Sequence, residues 1–129
     1  MNVIVIPSVP ALFPYPRSEW TVAESFGVVW KRPDRETVSF TIAAGFRTDL
    51  ASIPRPLRLF VSRFGRHRVP SIIHDWCYEA HTKLTRSESD ELFLLLMDRY
   101  GVPRWKRQAM YRAVRVFGAS RWGPSDGKD

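Results

Sequence analysis

The chain reads as an α+β protein, a small antiparallel β-sheet from the N-terminal half packed against three α-helices from the C-terminal half. Three observations predict this. Between Trp20 and Ala43 apolar and polar residues alternate, with Val38, Phe40 and Ile42 set against Thr37, Ser39 and Thr41. From Pro70 onward the apolar residues recur at helical spacing instead. The helical stretches also begin and end on residues that start and stop helices. A length of 129 residues suits one domain with a small core. That domain is expected over residues 1–118, with 119–129 as a flexible tail whose one aromatic anchor is Trp122.

The first strand is expected over Val3–Ile6. Pro7, Pro10, Pro14 and Pro16 then turn the segment up to residue 18 into an extended strap without regular structure. Strands follow over Glu19–Ser25, Phe26–Lys31 and Thr37–Ala43. Arg32-Pro33-Asp34-Arg35 has proline and aspartate where a turn uses them, which makes the last two strands an antiparallel hairpin. Gly45-Phe46-Arg47 continues the pairing. The segment from Thr48 to Pro56, TDLASIPRP, is interrupted by two prolines and so forms a shaped loop, feeding a short helix from about Leu57 to Phe64.

Pro70 suits a first helical position, and Ile72, Ile73, Trp76, Cys77 and Ala80 fall on one stripe that faces the core. His74, Asp75, Tyr78 and His81 lie off that stripe, with His74 and Tyr78 side by side on the helix surface. Thr85 with Glu88 is a capping box that starts a second helix carrying Leu92, Phe93, Leu96 and Tyr100, and Gly101 ends it. Pro103 opens a third helix. It turns Ala109, Met110, Ala113, Val114 and Phe117 inward and Arg104, Arg107, Arg112 and Arg115 mostly outward, until Gly118 closes it.

The net charge of +7 and a sequence pI near 10.2 favour anionic partners such as nucleic acid, acidic lipid headgroups or cell-wall polymers. Cys77 is the sole cysteine, so an intrachain disulfide and a cysteine-rich metal site are both excluded, and a cytoplasmic life, or assembly in the cytoplasm, fits best. The apolar run in MNVIVIPSVPALFPYP lacks a preceding basic region and is cut by prolines, so it reads neither as a signal peptide nor as a membrane span. Glycine patterns for phosphate or dinucleotide loops are absent, as are helix-turn-helix, zinc-finger and RNA-binding signatures.

Chemistry gathers in the helix hairpin. The turn from Thr82 to Thr85 is short, so the first two helices are antiparallel neighbours. Counted outward from it, Asp90 stands level with Tyr78 and one helical turn, about 5 Å, from His74. In a hydrolytic arrangement His74 is the general base for a water, with Asp90 or Tyr78 holding the imidazole in one tautomer. Asp75 contributes to an oxygen-rich cation site, with Asp49 as a second carboxylate, and the Ser52 hydroxyl orients a ligand. The same residues also suit architecture. Asp75 can neutralise the positive start of its helix, His74 can bond a loop carbonyl, Asp49 and Ser52 can satisfy donors of the proline loop, and Arg86 can pair with Glu79 or Asp90. His67, in a basic run, and His81, seven residues from His74, are weaker candidates. The arginines of the third helix, with Trp105 and Trp122 nearby, offer a nucleic-acid surface.

Four pieces in order, GFRTDLASIP, HDWCYE, TRSESDELF and MYRAVRVFG, make the stretch from about residue 45 to 118 resemble the small phage and prophage family catalogued as domain of unknown function 1353. The resemblance implies a bacteriophage or prophage origin and no established activity. A narrower likeness is that His74-Asp75-Trp76-Cys77-Tyr78 resembles the His-Asp-x-Cys-Tyr helix of secreted phospholipases A2. It implies His74 as base, Asp75 as calcium ligand and Asp90, beside Tyr78, as the acid that orients the histidine. The chain departs from that family in having one cysteine, and TDLASIP where those enzymes have a glycine-rich calcium loop. Three functions follow as expectations: a cation-assisted hydrolase acting on an anionic envelope substrate such as phospholipid, a virion-associated structural or assembly protein partnered by other phage proteins, and a basic module that binds nucleic acid or a host protein.

Overall fold

The computed structural model describes residues 2–7, 10, 12–15, 19–48, 68–80 and 82–122. The fold is α+β, with antiparallel sheet in the N-terminal half and, among the described residues, three long helices and a short fourth in the C-terminal half. The chain is described as two compact units, Met1–Asp49 and Leu50–Asp129.

The first unit holds β1 (Val3–Val5), β2 (Leu12–Tyr15), β3 (Glu19–Val22), β4 (Phe26–Lys31), β5 (Val38–Ile42) and β6 (Arg47–Thr48). They form two three-stranded sheets, in the orders β1-β4-β5 and β2-β3-β6, with every pairing antiparallel. The expected hairpin is β4–β5, whose register sets Phe26 opposite Ile42, Val28 opposite Phe40 and Trp30 opposite Val38. Directly opposed residues share a face, so the period-two pattern of each strand places Phe26, Val28, Trp30, Val38 and Ile42 together on the buried side. The indole N–H of Trp30 donates to Asn2 Oδ1 at 3.0 Å. Arg32 and Arg35 lie over the Trp30 ring, and Arg32 donates twice to the Glu36 carbonyl, which ties the hairpin loop to the strand end.

The strap expectation fails at β2, a regular strand paired with β3 and containing Pro14. β2 is an edge strand, the place in a sheet where a missing N–H is tolerated. Gly45 has φ of +90°, a conformation that favours glycine, and its N–H donates to the Val22 carbonyl at 2.8 Å. The Gly45-Phe46-Arg47 stretch therefore continues pairing as expected, but with β3. The loop beyond Thr48 and the helix expected over Leu57–Phe64 lie outside the described residues.

The second unit holds α1 (Arg68–Ala80), α2 (Arg86–Arg99), α3 (Arg104–Phe117) and the short α4 (Ala119–Trp122). α1 begins at Arg68, so Pro70 sits within its first turn, where amides have no intrahelical acceptor to lose. The capping box is complete: Glu88 N–H donates to Thr85 Oγ1 at 3.1 Å, and Thr85 N–H donates to Glu88 Oε1 at 3.0 Å. Gly101, at φ +80°, ends the connection after α2, and Val102 N–H returns to the Met97 carbonyl. Phe93, Met97, Val102, Met110 and Val114 pack as one core cluster that joins α2 to α3.

Three details differ from the sequence expectation. Phe117 has the helical phase of the core stripe but is 63% exposed, because the cluster that stripe packs into ends at Val114. Ala80 is exposed at the open end of α1. Residues 119–122, expected as the start of a tail, form α4, while Trp122 is buried as the expected aromatic anchor. No helix among the described residues is long and apolar enough to cross a membrane.

Candidate functional site

The hairpin of α1 and α2 brings His74, Tyr78 and Asp90 together as the spacing predicted. His74 Nε2 lies 2.7 Å from Asp90 Oδ1, and the Tyr78 hydroxyl donates to the same oxygen at 2.6 Å. A carboxylate only accepts, so the imidazole proton in this pair sits on Nε2. The other carboxylate oxygen faces cations. Arg115 from α3 donates to Asp90 Oδ2 at 2.8 Å, and Arg86, one turn before Asp90 on α2, has Nη1 at 3.7 Å from it. Arg86 also donates to the carbonyls of Val114 and Arg115 at 3.1 and 3.2 Å, so one guanidinium serves both the acid and the C-terminal end of α3. Asp90 is thus a hub to which three helices contribute, and both its oxygens are engaged.

The side chains of His74 and Asp90 are fully buried. Sequence periodicity placed His74 and Tyr78 on the helix surface, and the structure corrects this. Ser71, His74, Asp75 and Tyr78 follow one another at helical spacing and form a second, polar stripe on α1 that is buried as well. A polar face can be buried when its groups are satisfied, and Asp90 bonds both His74 and Tyr78 of this one. The imidazole stacks on Phe93 with centroids 4.5 Å apart and leans on Tyr78 at 4.4 Å. Trp122 from α4 meets the Tyr78 ring edge-on at 5.1 Å. Burial, then the charge and hydrogen bond of Asp90, push the Tyr78 hydroxyl far above its ordinary range, so it remains a donor at neutral pH.

Gly118 is the tight point of this packing. A Cβ there would collide with the Val114 carbonyl oxygen and lie 2.7 Å from the Tyr78 hydroxyl and 3.1 Å from Arg86 Nη1. The residue closes α3 as expected, yet its φ is −76°, so the need is for space and not for a left-handed backbone. Gly118→Ala is expected to destabilise the protein by about 1–3 kcal/mol, the usual scale of overpacking, measured by urea unfolding. An unchanged midpoint would mean that the close approach of Tyr78 and Arg86 is not maintained in solution.

The remaining expected residues divide. Asp75 is buried on α1 and makes contacts of its own. It lies two turns into the helix, too far along to neutralise the start at Arg68. Asp49, Ser52, His67 and His81 lie outside the described residues. No group of three or more His, Cys, Asp or Glu side chains among the described residues is arranged to hold a metal. The basic face of α3 is thinner than its arginine count suggests. Arg104 and Arg112 are exposed, but Arg115 turns in to Asp90, and Arg107 donates to the Val102 carbonyl and approaches Asp98 at 3.4 Å. Trp105 is exposed while Trp122 is buried on Tyr78, so the two do not form one aromatic surface.

Sequence reasoning missed Arg115, Gly118, Ser71 and the Phe93 stack on His74. Only Ser71 left a signal: it stands three residues before His74 and seven before Tyr78, on the same helical face.

The model of the family described as "Protein of unknown function (DUF1353)" matches residues 20–114, which include every residue of the His74–Asp90 pair and Tyr78. The chain is also 32% identical over 87 residues to the "Uncharacterized protein y4jT" of Sinorhizobium fredii, a match that covers 66% of this chain. It covers 26% of that relative, so the chain spans about a quarter of the longer protein's length. No solved structure matches.

Proposed function

We propose that this chain, which belongs to the DUF1353 family, is a small hydrolase of phage or prophage origin in which His74 is the general base and Asp90 orients it. The observation that supports this reading is the 2.7 Å contact between His74 Nε2 and Asp90 Oδ1. Asp90 already has Arg115 and Arg86 to balance its charge and Tyr78 as a further donor. The histidine is therefore not needed to neutralise it, and the effect of the bond falls on the imidazole, whose proton is held on Nε2. In the proposed mechanism Nδ1 is the nitrogen that accepts a proton. In the proposed reaction Nδ1 takes a proton from a water as its oxygen attacks an ester carbonyl, and returns that proton to the leaving alcohol when the carbon–oxygen bond breaks. The imidazolium formed between these steps is stabilised by the Asp90 carboxylate. Asp75 is the residue that would offer an oxygen to a divalent cation such as calcium, which when bound polarises the scissile carbonyl. The net charge of +7 favours an anionic envelope substrate such as phospholipid.

A second reading is supported by the complete burial of His74 and Asp90. On it the hub only locks three helices, as in a virion-associated structural or assembly protein. One experiment separates the two. Hydrolysis of phosphatidylglycerol in mixed micelles is measured for the native protein, His74→Gln and Asp75→Asn, each with its melting temperature. The hydrolase reading expects His74→Gln to lose about 100-fold or more in rate while still folding, the scale of a missing general base. A native protein without esterase activity, present in purified virions and unfolded by His74→Gln, would establish the structural reading instead.

A further inference from the structure

We propose that the first turn of α1 is a binding subsite for a phosphoryl group, with the Ser71 hydroxyl as its buried hydrogen-bonding partner. The inference deepens the hydrolytic reading, on which it rests for the identity of its ligand as part of an anionic substrate. The observation behind it is separate from the His74–Asp90 pair. Ser71 is 2% exposed, and its Oγ has no hydrogen-bond partner among the described residues. A serine on a helix ordinarily satisfies its hydroxyl with a nearby backbone carbonyl or with water. A buried hydroxyl that does neither is costly, and such groups occur where a ligand supplies the missing partner.

The position of Ser71 defines the ligand. α1 runs for 13 residues from Arg68, so Ser71 stands at the end of its first turn, and its Cα–Cβ bond tilts toward the helix start. The amides of that turn, Pro70 excepted, have no intrahelical acceptor, and the helix dipole places positive potential there. No acidic residue occupies the first turn, and Arg68, three residues before Ser71 on the same face, adds a full positive charge. A hydroxyl donor, backbone amides and a cation within one helical turn suit a tetrahedral oxyanion. Ser71 is also three residues before His74, so an anion held at the helix start adjoins the proposed base along the polar stripe. Asp75 stands one turn beyond Ser71 on the same helical face. The same phosphoryl chemistry is offered by a phosphodiester headgroup and by free phosphate.

The test uses the full chain and inorganic phosphate, titrated at constant ionic strength against sodium chloride and followed by melting temperature and isothermal calorimetry. Phosphate is expected to stabilise the native protein saturably. Ser71→Ala is expected to raise the melting temperature by a few degrees without phosphate, because it removes an unsatisfied group, and to weaken phosphate binding about 10-fold or more. Arg112→Ala, which removes an exposed charge on α3, should bind phosphate as the native protein does. Ser71→Ala that melts lower in plain buffer, phosphate stabilisation equal in native and Ser71→Ala proteins, or an equal loss in Arg112→Ala would each overturn the proposal. Competition by glycerophosphorylglycerol assigns the subsite to a substrate headgroup, and competition confined to inorganic phosphate assigns it to the free ion. Phosphate binding that survives in a protein without esterase activity refutes the hydrolytic reading alone.

Discussion

Asp90→Asn is expected to lower the unfolding free energy by about 3–5 kcal/mol, the scale for breaking a buried ion pair by removing one partner. Two guanidinium groups, those of Arg115 and Arg86, would be left beside a neutral side chain. The substitution also fails in hydrogen bonding, because every neighbour of the carboxylate donates to it: His74 and Tyr78 at Oδ1, Arg115 at Oδ2. An asparagine must turn an N–H₂ toward one of these pairs. Turned toward Arg115, it sets donor against donor. Turned toward His74, it is accommodated only if the imidazole proton moves to Nδ1, the atom assigned to act as base. The variant that costs stability should also lose hydrolysis, because in either orientation the carboxylate charge that stabilises the imidazolium is gone. Arg115→Ala should cost less, since its side chain is 27% exposed and the charge it leaves behind is still met by Arg86 and His74. Urea unfolding of both variants checks the order. A cost below about 1 kcal/mol for Asp90→Asn, the range of exposed pairs, would mean that the hub is solvated and not a joint.

The parts of this hub that were legible in the sequence were local. The capping box of Thr85 and Glu88 sets the first residue of α2, the short connection from Thr82 sets α2 antiparallel to α1, and counting along both helices then brings Asp90 to Tyr78 and His74. Each step needs only helix geometry. Arg115 was not legible, because it approaches Asp90 from 25 residues away and only after the α2–α3 connection has set the phase of α3. Its place off the Met110–Val114 stripe marks it as outward on an isolated helix, which is correct for Arg112 and wrong beside a buried acid. The burial of the Ser71–Tyr78 face was hidden for a related reason. Periodicity separates apolar from polar faces, whereas burial of a polar face depends on partners that come from elsewhere in the chain. In the sheet, β4 and β5 announced themselves by alternation, while β2 was masked by Pro14, whose cost vanishes at an edge that local sequence does not reveal.

The same burial predicts an alkaline limit to stability. Cys77 lies on α1 between Trp76 and Tyr78, is fully buried, and has its thiol pushed from 9.0 up to about 12, chiefly by burial and against the lowering effect of hydrogen bonds with Thr82 and Ser89. In the folded protein the proton is held more tightly than in the unfolded chain. The contribution is therefore fully present below pH 9.0 and is lost as pH rises through the window up to about 12, because the unfolded state alone can release the proton there. Across that window the loss from this one group approaches about 4 kcal/mol, at 1.36 kcal/mol for each unit. Tyr78 acts with the same sign, since burial and Asp90 raise its hydroxyl too. Urea unfolding at intervals from pH 8 upward should thus give a falling stability, and Cys77→Ala should make the fall shallower even though the variant starts lower for want of packing. The thiol should also react with a disulfide reagent at the rate of unfolding and not at that of an exposed cysteine. A slope identical in Cys77→Ala, or rapid labelling of the native protein, would show that α1 opens at Cys77 without global unfolding, and the neighbouring His74–Asp90 pair would then be accessible by the same opening.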